Sequence, residues 1–102
     1  MTDQENSIYA ALDPVLHQPI RTRIAAFLSA RGEATFGELK QALKLTDGNL
    51  EAHMKKLTQS GYVHASKEKH GKRPLTFYSL SESGKEALAS YVSALSGLLN
   101  ID

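Results

Sequence analysis

The side chains of this sequence that can do chemistry are mostly cations, amides and hydroxyls, and they gather in two stretches. One runs Thr46-Asp47-Gly48-Asn49, then Ala52-His53, then Lys55-Lys56; the other is Lys69-His70-Gly71-Lys72-Arg73. Ammonium and guanidinium groups neutralise phosphate oxygens, and an asparagine amide can pair with an adenine edge or bond a phosphate, so the chemistry on offer is non-covalent recognition of a polyanion. Covalent chemistry has little to start from. There is no cysteine, which removes disulfides, thiolate metal sites and thiol nucleophiles together. No glycine-rich phosphate loop, H-E-x-x-H or G-x-S-x-G occurs, and no two histidines stand at i, i+4. His64 and His70 with Glu68 are the one grouping in which a metal could be sought. Lacking thiolates and helical spacing, it leads us to expect no metal, no cofactor and no enzyme activity.

These residues must be positioned by a small molecule. The chain has 102 residues and 11.1 kDa, enough for a single domain over 1–102 that buries roughly 60–70% of its unfolded surface, so a second copy would be a natural support. At 41% hydrophobic and 23% charged residues it should fold. The net charge of +1 is unevenly spread. Acids dominate residues 1–15 (Asp3, Glu5, Asp13) and 81–102 (Glu82, Glu86 and Asp102 against Lys85), while residues 16–80 hold the cationic excess. A basic middle between acidic ends points to a polyanionic partner. The start is polar and acidic, and the uncharged apolar stretch Ile8 to Leu12 is far too short to cross a bilayer. A soluble, cytoplasmic protein with no membrane partner is expected.

Punctuation and periodicity then give the elements. Pro19 suits a first helical turn, Ile20, Ile24, Phe27 and Leu28 follow at helical spacing, and Gly32 stops the helix, which is placed at about 19–30. Thr35-Phe36-Gly37-Glu38 has capping-box spacing before the stripe Leu39, Ala42, Leu43, giving a short helix at about 36–43. Thr46 is a second N-cap, Asp47 suits the positive helix end, and Leu50, Met54 and Leu57 form the apolar line of a helix that Gly61 closes. Two amphipathic helices joined by a short turn make a helix-turn-helix. Tyr62 to Ala65 and Leu75 to Leu80 are β-rich, separated by the basic segment Lys69 to Pro74, and read as a β-hairpin with a charged tip. Ser81 caps a last helix at about 82–100, with Leu88, Val92, Leu95 and Leu99 repeating and Tyr91 and Leu98 broadening the stripe. The fold class is mainly α with a β-hairpin wing: a winged helix-turn-helix with an additional C-terminal helix, on a core of about 13–81.

With that order established, the sequence resembles the bacterial and archaeal winged-helix transcriptional regulators of the MarR and ArsR kind, especially the small single-domain group close to both. The likeness is carried by His17-x-Pro19-Ile20-Arg21-x-x-Ile24, Phe36-x-Glu38-Leu39, and Leu45-Thr46-Asp47-Gly48-Asn49-Leu50-x-x-His53-x-x-x-Leu57-x-x-x-Gly61-Tyr62-Val63. Lys67, Gly71, Lys72, Arg73, Pro74, Thr76, Tyr78 and Leu80-Ser81-x-x-Gly84 continue it, so about residues 13–88 take part. The resemblance implies that the helix from about 47 to 60 is a recognition helix in the major groove of double-stranded DNA and that the hairpin is a wing reaching phosphates and the adjacent minor groove. It also implies a homodimer joined through the first segment and the last helix. The family tends to have threonine where Ser81 stands, and both hydroxyls cap helices.

Geometry assigns roles within that frame. With Leu50, Met54 and Leu57 inward, steps of about 100° put Gly48, Ala52, Lys55, Lys56 and Gln59 outward, with Asn49 and His53 on one flank. Thr46, Asp47, Gly48, Asn49, Ala52, His53, Lys55 and Lys56 are therefore the expected DNA-binding residues of the helix, and Lys69, Lys72 and Arg73 those of the wing. Arg73 is expected in the minor groove, whose negative potential attracts a guanidinium. His53 could pack or touch DNA. Arg21 and Arg23 could reach the DNA backbone or form an internal salt bridge, and His17 is expected to hydrogen-bond at a helix start. Asp47 and Glu51 oppose phosphate binding, although a carboxylate can accept from cytosine and Asp47 can serve as a cap. They favour the alternative of a winged helix that binds a polypeptide instead of DNA. Leu95, Leu98 and Leu99 are the expected dimer contact. No effector is identifiable.

Overall fold

The computed structural model describes residues 12–99. Asp3, Glu5, Asp102 and all but the last residue of the stretch Ile8 to Leu12 lie outside them. Helix α1 (Pro19–Arg31) starts with Pro19 in its first turn, capped by Gln18, whose side chain accepts the Arg21 N–H at 2.8 Å. It ends at Gly32, which at φ +91° sends its N–H back to the Leu28 carbonyl at 2.8 Å. Strand β1 (Ala34–Thr35) and helix α2 (Phe36–Leu43) follow. The capping box is complete: the Glu38 N–H donates to Thr35 Oγ1 at 3.2 Å and the Thr35 N–H to Glu38 Oε1 at 2.9 Å. Those bonds hold the Glu38 carboxyl below its ordinary pKa of 4.5, with the charge of Arg31 adding to the effect.

Helix α3 (Asp47–Gln59) is capped by Thr46, and β2 (Val63–His70) and β3 (Arg73–Leu80) form the wing before α4 (Glu82–Leu99). The antiparallel sheet has the order β1-β3-β2, with Val63 opposite Leu80 and His70 opposite Arg73. The turn is thus only Gly71-Lys72, and the basic segment expected as the hairpin tip is mostly strand. Gly71, at φ +67°, allows this tight turn, so the ladder runs to its end despite the modest β-propensity of lysine. Pro74 fits because β1 covers only Phe77 and Tyr78, which leaves β3 an edge strand at that point. Strand β1 itself, at two residues, is too short to leave a periodic signal.

The helices meet over one core in which Leu16, Ile24, Leu28, Leu39, Leu50 and Leu57 are all but fully buried. Each such side chain contributes on the order of 1.5–3 kcal/mol. Met54, Val63, Leu80 and Tyr91 close it. Two details of the expected stripes change. Ala42 is exposed beside buried Leu39 and Leu43. On α4 the covered line is Gly84, Leu88, Tyr91, Leu95 and Leu98, the first and third buried and the others partly so, while Val92 is 52% and Leu99 59% exposed. The expected stripe mixed that line with a neighbouring one, a turn of about 100° away.

One junction fixes α3, the wing and α4 to each other. The Tyr62 carbonyl, just past α3, accepts the Ser81 N–H at 2.9 Å. Ser81 Oγ donates to the Gly61 carbonyl at 2.6 Å and accepts the Gly84 N–H at 3.0 Å, so Ser81 is the cap expected of it and also a tie. A Cβ on Gly84 would collide with the Tyr62 carbonyl. Helix α4 and the turn before β2 approach closely here because residue 84 has no side chain.

Candidate nucleic-acid interface

Helix α3 presents the face expected of it. Leu50, Met54 and Leu57 are buried, while Gly48, Asn49, Ala52, Lys55, Lys56 and Gln59 are exposed. The outer line is a mixture of small residues, which let a surface approach, and cations, which reward its being anionic. Thr46 and Asp47 have structural duties at the same end. Thr46 Oγ1 accepts the Asn49 N–H at 3.1 Å, and Asp47 lies 2.8 Å from Lys40 Nζ on α2. Both charges of that pair are exposed, so it contributes only about 0.2–1 kcal/mol. Its larger effect is electrostatic: the acid that opposed phosphate binding carries its own counter-charge.

His53 stands half-buried on the flank, where Arg21 of α1 donates from Nη1 to its Nδ1 at 3.2 Å. Burial pushes the imidazole pKa below its ordinary 6.5, and the Arg21 charge pushes it further in the same direction. Arg21 also donates from Nε to the Val15 carbonyl at 2.6 Å, and Arg23 donates from Nη2 to the Leu43 carbonyl at 2.9 Å, closing the end of α2. Among the described residues neither arginine forms the salt bridge weighed from sequence; both bond neutral acceptors. His17 likewise departs from expectation. Its Nδ1 lies 3.0 Å from the Tyr91 hydroxyl on α4, while Gln18 does the capping.

On the wing, side chains alternate across the sheet. Val63, Ala65, Lys67 and Lys69 fall on one face, the face against which α3 packs, and Glu68 and Arg73 on the other. Lys67, Lys69, Lys72 and Arg73 are exposed and make no ion pair among the described residues. Lys67 carries part of the family likeness but is not among the expected DNA-binding residues; counting by twos from the buried Val63 puts it on the same face as Lys69. Between α3 and this face lies an open groove of about 370 Å³, floored by Phe36, Met54, Ala65 and Tyr78 and edged by Glu51 and Lys55. Burial raises the Tyr78 hydroxyl pKa above its ordinary 10, and the Glu51 charge adds to the shift. No group of three or more His, Asp or Glu side chains able to hold a metal occurs among the described residues, and no helix among them is long and apolar enough to cross a membrane.

Residues 20–99 match the family model of the winged helix DNA-binding domain. An uncharacterized protein of Methanocaldococcus jannaschii is 35% identical over 78 residues, which cover 76% of this chain and 85% of that one. The solved structure of a transcriptional regulator homologue from Pyrococcus horikoshii superposes with a TM-score of 0.85 at 28% identity, covering 97% of this chain and 96% of the other. A transcriptional regulator of the MarR family from Enterococcus faecalis gives 0.74 at 26% identity, covering 98% and 88%.

Proposed function

The chain belongs to the winged helix DNA-binding domain family, and from that premise we propose that it is a homodimeric transcriptional regulator that occupies a pseudo-palindromic operator through α3 and the wing. The observation that carries this reading is the set of exposed cations without an ion pair among the described residues, Lys55 and Lys56 on α3 and Lys67, Lys69 and Lys72 on the wing, beside the small residues Gly48 and Ala52. In this reading α3 lies in the major groove. Lys55, Lys56, Lys69 and Lys72 neutralise phosphates and supply most of the affinity, Asn49 pairs with adenine or a phosphate, Ala52 biases sequence, and His53 meets the duplex from the flank of α3. Thr46 and Asp47 bound the contact at the helix start. Arg73, beside the turn and on the outer face of the wing, reaches toward the minor groove.

Two copies are supported by size and by the last helix. A single module of this kind buries about 600–1,000 Å² on DNA, and half-sites about 34–36 Å apart let two weak units add. On α4, Val92 and Leu99 are exposed, and Leu95 and Leu98 are only partly covered by their own domain. A second α4 is the natural cover, with Leu95, Leu98 and Leu99 in the contact. The regulator acts by occupancy in the cytoplasm, without covalent chemistry or a bound cofactor.

The test is fluorescence anisotropy of a labelled mixed-sequence duplex titrated at low and near-physiological salt. Affinity should fall steeply as salt rises, because each neutralised phosphate releases counterions. The rival is a polypeptide-binding winged helix, for which exposed Glu51 beside the apolar groove speaks. No duplex binding at low salt would favour it.

A further inference from the structure

Arginine has donors and no acceptor, so the nitrogen of His53 that faces Arg21 Nη1 must be the unprotonated one. A neutral imidazole then carries its proton on Nε2. That atom makes no hydrogen bond among the described residues, yet no side-chain nitrogen of the partly buried residues is both sealed from solvent and unpartnered. Nε2 is therefore in reach of solvent.

Arg21 is itself held at a second point, by the bond from Nε to the Val15 carbonyl. Val15 belongs to a turn ordered by Asp13, whose Oδ1 accepts the Val15 N–H at 2.8 Å and the Leu16 N–H at 3.2 Å. The other carboxylate oxygen of Asp13 accepts from the hydroxyl of Tyr62, in the turn between α3 and β2. A chain of polar contacts thus leaves the turn after α3 at Tyr62, runs through Asp13, Val15 and Arg21, and returns to the flank of α3 at His53. Such an arrangement fixes a ring orientation; a solvated histidine would need none of it.

We infer that Arg21 is a positioning residue for DNA recognition: it fixes His53 as the Nε2–H tautomer and aims that N–H outward as a neutral donor to a phosphate oxygen of the duplex. This rests on the DNA-binding reading above and sharpens it, because it separates His53 from the lysines. A lysine contributes through charge, and its removal lowers the salt dependence of binding. A neutral imidazole contributes a directed hydrogen bond, and its removal lowers affinity at every salt concentration alike. Protonating His53 would set an N–H against the guanidinium and break the Arg21 bond. Around the ring, Arg21 is the charged group from α1 and Lys56 follows one turn along on α3, with no carboxylate in ion-pair distance among the described residues.

Side-chain nitrogen NMR on the full chain without DNA should find His53 as the Nε2–H tautomer, titrating below the ordinary histidine range. Arg21→Met should give a tautomer mixture and move the midpoint up; Arg21→Lys, which keeps charge and stem but lacks the fork, covers the case that the first variant fails to fold. In anisotropy, His53→Ala should weaken duplex binding about tenfold, the worth of a hydrogen bond to a charged acceptor, with the salt slope unchanged. His53→Gln, whose amide can donate from the outer position, should restore most of the loss. An Nδ1–H tautomer in the parent, an indifferent Arg21 variant, or equal binding by His53→Ala would overturn the inference while the DNA reading stands. Failure of the parent chain to bind any duplex at low salt would overturn both.

Discussion

On α1 every arginine has an internal partner. Arg21 bonds Val15 and His53, Arg23 closes the end of α2, and Arg31 meets Glu38 at 2.6 Å while lying 5.6 Å above the Phe27 ring. On α3 and the wing, Lys55, Lys56, Lys67, Lys69, Lys72 and Arg73 have no ion pair among the described residues. The same formal charge is used to build in one region and left free to bind in the other. Chemistry sorts the two groups as well: the building cations are arginines, whose planar fork serves two acceptors at once, and the free ones are nearly all lysines, whose compact charge suits phosphates from many angles. Net charge conceals this division, because a cation consumed internally counts the same as one in solvent.

If the division is real, changes in the building region should alter stability and leave the salt dependence of DNA binding alone. The largest such effect is expected from Gly84→Ala. The added methyl meets a backbone carbonyl, which cannot swing aside as a side chain would, so helix α4 or the end of α3 must move. A loss of about 3 kcal/mol is expected, read as a lower denaturation midpoint, with the salt slope of the surviving folded protein unchanged. A stable variant with an altered slope would show that this junction belongs to the binding region.

Lys56→Ala approaches from the other side. It should weaken all duplex sequences alike and lower the salt slope by about one unit, with stability within about 0.5 kcal/mol of the parent. An unchanged slope would remove Lys56 from the contact.

Thr46→Ala sharpens the boundary between the regions, because Thr46 was expected at the DNA and its hydroxyl caps α3. Losing the cap should cost about 1 kcal/mol of stability. A neutral hydroxyl releases no counterion, so anisotropy should again return the parent slope. A slope change would mean that fraying at the start of α3 disturbs the lysines further along it.

Much of this division was legible in the sequence, and the failures share a cause. Helices α1 to α3 were readable because local chemistry settles them: Pro19, the Thr35–Glu38 box, Thr46 and the glycines at 32 and 61 mark their ends within a residue or so. The outward face of α3 followed from periodicity alone. What escaped depends on contacts between distant residues. Strand β1 exists only because Ala34 and Thr35 find Tyr78 and Phe77; the wing strands lengthened because their ladder continued; Asp47 seemed misplaced until Lys40 stood beside it. Arg21 and His53 are 32 positions apart, and no spacing rule joins them.

Acid supplies the gentlest separation, because it dissolves two partnerships in a fixed order. His53 has a folded-state pKa below its ordinary 6.5, so the unfolded chain takes up the proton more readily. Stability that is whole above 6.5 is therefore lost as pH falls from there through the lower, folded value. Glu38 has a carboxyl pKa held below its ordinary 4.5, so its contribution is present above 4.5 and disappears as pH falls through the depressed value. Thermal midpoints of the parent should decline in two stages, the first beginning near 6.5 and the second near 4.5. His53→Ala should flatten the first stage alone. Glu38→Gln, whose amide can still accept the Thr35 N–H but cannot ionise, should flatten the second alone. Neither stage should draw on the lysines of α3 and the wing; a stage that survived the loss of its own residue would place its source outside these partnerships and redraw the line between the cations that build and the cations left free.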